Sequence, residues 1–301
     1  MTRNSRHSPS AQALLAFGSL PAGETRSEPK ALPGGTVDAQ PFLKWAGGKR
    51  QLLTQLQRHV PPRFNRYFEP FLGGGALFFS IRPKHAVLGD TNERLVRTYI
   101  GVRDHVQDVI SNLSKYRNDR ALFLAERERE IDRESDVELA AWFIYLNRTG
   151  YNGLYRVNRK GGFNVPFGRY AAPTICDTAR LRSCSKALRR TDIRVADFET
   201  LVDSATAGDF VYFDPPYIPI SRYSDFGRYT SLPFGLEEHR RLRDVAARLK
   251  SRGVAVLVSN SGAPEVRSLY RTGFEIHTVM ATRFINSKGD GRGQIPEVLI
   301  S

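Results

Sequence analysis

A chain of 301 residues with 41% apolar and 25% charged side chains can bury a substantial core, which excludes a collagen-like or wholly disordered polypeptide. Forty-five Lys and Arg against 31 Asp and Glu leave a net charge of +14 and point to a polyanionic partner, nucleic acid or an anionic membrane surface. The two cysteines, Cys176 and Cys184, with no Cys/His spacing suited to zinc, argue against a disulfide scaffold and a structural metal and fit a reducing compartment.

Residues 1–40 hold four Pro, four Gly and five Ser without a sustained hydrophobic period, and read as a disordered N-terminal extension with no secretion signal. From Pro41 onward short apolar runs alternate with helical patterns. The runs at 67–71, 86–89, 210–213 and 254–259 read as buried strands, and the spacing predicts helices over 49–59, 76–81, 93–116 and 236–251. No run approaches the roughly eighteen apolar residues of a membrane span. The alternation is that of a doubly wound α/β sheet, in which ligands lie outside the carboxyl ends of the strands. Between residues 100 and 191 it gives way to helical patterns at 120–133 and 137–146 and then to a loop rich in Gly, Asn and aromatic residues, which reads as an inserted second domain. Residues 145–194 carry eleven Lys and Arg against two Asp, a net +9 within one sixth of the chain. Tyr151, Tyr155, Phe163, Phe167 and Tyr170 are interleaved with these charges, as recognition of unstacked bases requires. A plain solvated basic surface would not need the aromatics, and a membrane-binding segment would show an amphipathic helical stripe.

Three constellations carry chemistry. In Tyr67-Phe-Glu-Pro-Phe-Leu-Gly-Gly-Gly75 a strand runs into a glycine turn that lets a ligand approach the backbone, and Asp90, closing the next strand, can take ribose hydroxyls. Gly73 and Gly75 match the start of a dinucleotide fingerprint, but Phe78 stands at its third glycine, so a nucleoside without a pyrophosphate fits better. Lys44-Trp-Ala-Gly-Gly-Lys49 is no phosphate loop, because Leu43 replaces the leading glycine and Arg50 the Ser/Thr. Its Trp and Lys can clamp a small zwitterion; the alternative is a plain helix N-terminus. In Val211-Tyr-Phe-Asp-Pro-Pro-Tyr217 a strand delivers Asp214 to the sheet edge, and Pro215 and Pro216 fix φ so that the backbone carbonyls stay outward. The Asp214 carboxylate and the Pro215 carbonyl can take both N–H groups of an exocyclic amine, favouring a pyramidal nitrogen whose lone pair faces an electrophile, while Tyr217 stacks on the base. An ordinary turn is the competing reading.

These motifs, with Asp90-Thr-Asn92, Asn147-Arg-Thr-Gly-Tyr-Asn-Gly-Leu-Tyr-Arg156 and Phe163-Asn-Val-Pro-Phe-Gly168, occur in an order that resembles the Dam-type DNA adenine-N6 methyltransferases, the D12 class. The resemblance spans about residues 42–300. It implies a Rossmann-like S-adenosylmethionine-dependent α/β sheet, with a catalytic domain of residues 41–99 and 192–301 and a mainly helical target-recognition domain of residues 100–191. It implies that Trp45, Lys49, Phe71, Gly73, Gly75, Asp90 and Asp214 hold the donor, that Asp197 and Phe198 border its adenine, and that Asp214, Pro215, Pro216 and Tyr217 carry catalysis without a metal. In the basic insert Arg148 matches a phosphate contact and Tyr151 a wedge into the base stack, with Asn152, Leu154, Arg156 and Asn158 among the residues that read bases and backbone. A bidentate arginine on guanine contributes about 1–3 kcal/mol of discrimination, so Arg156 would account for much of one base pair in a GATC site. The target adenine would be flipped out of duplex DNA. The resemblance further implies a cytoplasmic, nucleoid-associated prokaryotic enzyme and admits a companion restriction endonuclease. One departure is Gly227, where a threonine is usual. A cytosine-N4 or RNA adenine methyltransferase, or an inactive DNA-binding regulator on the same fold, remain the alternative readings.

Overall fold

In the computed structural model the apolar runs become the inner strands of a seven-stranded sheet. The structure describes residues 38–47, 49–218, 234–282 and 294–301; nearly all of the 1–40 extension and residues 219–233, which include Gly227, lie outside them. The strands are β1 (Tyr67–Glu69), β2 (Ala86–Asp90), β3 (Thr191–Val195), β4 (Phe210–Phe213), β5 (Ala255–Ser261), β6 (Ile276–Thr282) and β7 (Gln294–Ile300). Their spatial order is β3-β2-β1-β4-β5-β7-β6. The first five are parallel and β7 runs antiparallel to both its neighbours. This is the Rossmann-like methyltransferase sheet that the resemblance implies.

Ten helices are described: α1 (Leu53–Arg58), α2 (Ala76–Ile81), α3 (Glu93–Asp104), α4 (Val106–Leu113), α5 (Arg120–Arg127), α6 (Asp136–Thr149), α7 (Thr178–Leu188), α8 (Phe198–Val202), α9 (Leu236–Ser251) and α10 (Pro264–Leu269). Alternate residues of β4 feed two separate cores, Phe210 and Tyr212 on one face, Val211 and Phe213 on the other, as the period of two demands. The first core continues without a break from the sheet into α3, α4 and α6, so the helices between β2 and β3 share it with the strands. Every residue of α6 from Leu139 to Thr149 is buried, and a helix surrounded by protein needs no polar face.

The helical pattern at 120–133 is helix only over Arg120–Arg127, and three other elements differ from the sequence reading for identifiable reasons. The first strand stops at Glu69 because Pro70 has no N–H to donate to a ladder. The helix expected over 93–116 is two, broken at His105, whose φ of −131° leaves the helical region; the break lets α3 and α4 each lie against α6. The helix expected over 49–59 opens as a 3-10 turn, Lys49–Gln51, before α1. Among the described residues no helix is long and apolar enough to cross a membrane.

Candidate active site

The strand order reverses between β1 and β4, and a crevice opens outside their carboxyl ends at such a switch point. β1 leads through Pro70 into the turn Gly73–Gly75, whose first and last members have φ of +45° and +63°, a region closed to most side chains. The turn is tied at both ends: the Gly73 N–H donates to Asp90 Oδ2 at 3.2 Å, and the Tyr99 hydroxyl donates to the Gly73 carbonyl at 3.1 Å. Asp90 Oδ1 takes the Asn92 N–H at 3.0 Å. Burial raises the Asp90 pKa, and backbone N–H groups of Asn92, Gly73 and Thr91 pull it back. The Trp45 indole lies on the bare turn so closely that a Cβ on Gly73 would fall 2.7 Å from Trp45 Cδ1.

Facing this turn, β4 delivers Asp214, whose Oδ1 receives the Lys49 ammonium at 2.9 Å and the Ser259 hydroxyl at 2.7 Å. Ser259 has one proton, and the carboxylate takes it, so the Tyr212 hydroxyl 3.0 Å away acts as donor to Ser259. Lys49 is 7% exposed; it also donates to the Gly47 carbonyl at 2.8 Å and stands 4.4 Å above the centre of the Tyr217 ring. The Tyr217 hydroxyl donates to Glu297 of β7 at 3.0 Å, and burial raises its pKa well above the usual phenol range. The next residue, Ile218, is strapped to β5: its N–H donates to Asn260 Oδ1 at 3.4 Å, and its carbonyl takes the Ser261 hydroxyl at 2.6 Å. The Asp-Pro-Pro-Tyr segment is thus braced by β5 and β7 and by Lys49.

A wall of rings closes one side. Phe71 stacks on Phe198 at 5.6 Å with the planes 25° apart, and Phe213 meets both edge-on. Asp197 caps α8 through the Glu199 N–H and pairs with Arg241, whose guanidinium lies 4.4 Å over Phe198. At the carboxyl ends of β1–β4 the structure thus places three contact groups: Trp45 with Gly73, Gly75 and Asp90; Lys49 with Asp214–Tyr217; and Phe71 with Phe198 and Asp197.

The recognition residues divide. Tyr151 is 52% exposed at the tip of a short 3-10 turn, with Asn152 exposed beside it at φ +53°. Arg156 is exposed and holds the Asn164 carbonyl with both Nε (2.9 Å) and Nη2 (2.7 Å). Asn158, also exposed, builds the hairpin turn, its Oδ1 accepting from the Lys160 and Gly162 N–H groups. Leu154 packs partly into the core. Arg148 differs from its expected place at a phosphate: it is 9% exposed and donates to the Phe42 carbonyl at 2.8 Å, because the last turn of α6 is enclosed on all sides.

Sequence reasoning gave no role to Glu69 and Asn147, though both lie in its motifs, nor to Ser259 and Glu297. Glu69 is 2% exposed on β1 and takes the Tyr67 hydroxyl at 2.9 Å; burial pushes its carboxyl up to about 8, the Tyr67 bond offsets part of this, and the charge of Asp214 adds to it. A carboxylate inside an apolar run was the available signal. Ser259 lies in a strand that reads as simply apolar, and Glu297 reaches Tyr217 only through the fold. Among the described residues no three His, Cys, Asp or Glu are grouped to hold a metal.

The sheet order, with its switch point between β1 and β4, is that of the Rossmann-like methyltransferase class. A model of the D12 class N6 adenine-specific DNA methyltransferases matches residues 45–285, and the chain belongs to that family. It is 44% identical over 273 residues to the type II methyltransferase M1.LlaDCHI of Lactococcus lactis subsp. cremoris, covering 88% of this chain and 96% of the relative. It is 38% identical to the type II methyltransferase M.MjaIII of Methanocaldococcus jannaschii (88% and 99% covered) and 35% identical to the DNA adenine methylase of Escherichia coli strain K12 (86% and 93%).

Proposed function

We propose that the chain transfers a methyl group from S-adenosylmethionine to N6 of an adenine flipped out of duplex DNA, within GATC. The braced Asp214 carboxylate at the end of β4, across the switch point from the Gly73–Gly75 turn and Asp90, carries this reading. The crevice suits the donor's parts: the Phe71–Phe198 pair offers a plate for an adenine, the Asp90 carboxylate acceptors for ribose hydroxyls, and Trp45 over the turn with Lys49 beside Asp214 a polar end for the amino-acid portion. When bound, the donor supplies an electrophilic methyl group on a sulfonium.

The protein's own residues do the positioning. Lys49 and Ser259 both bind Asp214 Oδ1, which fixes the carboxylate and directs Oδ2, with the Pro215 carbonyl, to the two N–H groups of the target amine. Tyr217, held by Glu297, stacks on the base. Stacking contributes about 1–3 kcal/mol against a flipping cost of a few kcal/mol, so contacts from the insert make up the difference. In this reading residues 41–99 and 192–301 are catalytic and residues 100–191 recognise the target, with Tyr151 wedging the stack and Asn152, Arg156 and Asn158 at the DNA surface.

Asp214→Asn removes the charge and one acceptor while keeping shape. It should lower methyl incorporation into a GATC duplex at least about 10²-fold and leave the affinity for that duplex within a few-fold. Turnover within a few-fold of the unsubstituted enzyme would overturn the mechanism. Nucleoside analysis of the product separates N6-methyladenine from N4-methylcytosine, and sequencing of methylated DNA reads the site.

A further inference from the structure

Two loops of the proposed site are held to each other by side chains one turn apart on α6. Asn147, 2% exposed, accepts the Lys44 N–H at 2.8 Å and donates to the Lys44 carbonyl at 2.8 Å and to the Gly153 carbonyl at 2.9 Å. Both amide hydrogens and one carbonyl lone pair are spent on backbone groups of two segments more than a hundred residues apart in sequence. One turn earlier on the same face, Phe143 lies near-parallel to Trp45 (6.4 Å) and to Tyr155 (4.9 Å), which are themselves stacked at 6.0 Å. Direct contact completes the joint, since a Cβ on Gly153 would fall 2.3 Å from Lys44 Cβ. The segment 44–49 carries Trp45 onto the glycine turn and Lys49 onto Asp214; the segment 151–158 carries Tyr151, Arg156 and Asn158.

We infer that Asn147 is a positioning residue that couples the donor site to the DNA-recognition loop, so that filling one tightens the other. This deepens the functional reading above and rests on it. The link is mechanical: Trp45 follows Lys44 directly in the chain, and the Lys44 backbone shares its hydrogen bonds, through Asn147, with the carbonyl of Gly153. Coupling is reciprocal, so the donor's demethylated product should raise DNA affinity by the factor by which DNA raises affinity for the product.

The test measures the affinity of the full chain for a GATC duplex with and without saturating S-adenosylhomocysteine, for the unsubstituted protein, Asn147→Ala and the isosteric Asn147→Asp. The unsubstituted protein should bind DNA about tenfold more tightly with the product present, in the usual range for such coupling. Both variants should lose that factor to below about twofold while each ligand alone binds within a few-fold of normal, an outcome that mere destabilisation would not produce. A folded variant that keeps the full factor, or an unsubstituted protein without one, overturns the proposal. Should neither variant fold, hydrogen exchange on the unsubstituted protein decides: the product should slow amide exchange at residues 151–158 with no DNA present, and unchanged exchange there overturns it. If the unsubstituted protein binds no S-adenosylhomocysteine at all, the donor reading fails and the coupling falls with it; binding without coupling sinks only the latter.

Discussion

Glu69 sits in the middle of an apolar strand, and its carboxyl, pushed up to about 8 by burial, is neutral at the pH where its unfolded counterpart, near 4.5, is charged. A neutral Glu69 spares Asp214 a like-charged neighbour while still accepting the Tyr67 hydroxyl. The native state therefore holds a proton that the unfolded chain releases across pH 4.5–8, so this contribution is complete below that window and is lost as pH rises through it. Glu69→Gln keeps the acceptor and removes the titration. Relative to the variant, the unsubstituted protein should lose on the order of 1–2 kcal/mol between pH 6.5 and 8, measured by denaturant unfolding; parallel pH profiles would refute the assignment. Asp214, Trp45 and Lys49 were legible in the sequence because their motifs are linear, each made within a few residues of chain. Glu69, Ser259 and Glu297 were not, since their meaning depends on partners that only the sheet brings near.

At the scale of elements, the inner strands could be read because both faces are buried and the residues run apolar without alternation, as in β4 and β2. The edge strand β3, Thr-Asp-Ile-Arg-Val, buries only Thr191 and Ile193 and looks like loop in sequence, and the β6–β7 pair carries His277, Thr278 and Glu297 among its apolar residues. The split of α3 from α4 was equally hidden, because buried positions keep helical spacing across His105. α3 crosses α6 closely at Gly101, where a Cβ would fall 2.6 Å from the Asp136 carbonyl oxygen and 3.0 Å from Ala140 Cβ. In an exposed helix Gly→Ala gains up to about 1 kcal/mol. Here the obstacle is backbone, which cannot swing aside, and overpacking of this kind costs about 1–3 kcal/mol. Gly101→Ala should lower the melting temperature by roughly 2–6 °C; a rise would show that the two helices slide apart freely.

For the whole molecule the question is where +14 of net charge meets DNA. Of the eleven Lys and Arg in residues 145–194, Arg148 is withdrawn into the core, and Arg194 is paired with Asp192. Arg156, Arg159, Lys160 and Arg169 remain exposed on the hairpin that follows α6, beside the exposed ring of Tyr151. A second exposed set, Arg182, Lys186, Arg189 and Arg190, lies on and just after α7. The hairpin is bridged at Gly150–Phe167 and Val157–Phe163 and is joined through Asn147 to the Lys44 backbone, so in the proposed mechanism charge placed there acts next to the chemistry. Each phosphate neutralised contributes about 0.9 to the slope of log K against log salt. Replacing Arg159, Lys160 and Arg169 together by Ala should therefore flatten that slope by about 2–3 and weaken duplex binding, while the site methylated and the turnover at saturating DNA stay the same. If the slope is untouched by these three and falls instead when Lys186 and Arg190 are neutralised, the duplex lies across α7, and the hairpin's charges serve only solubility.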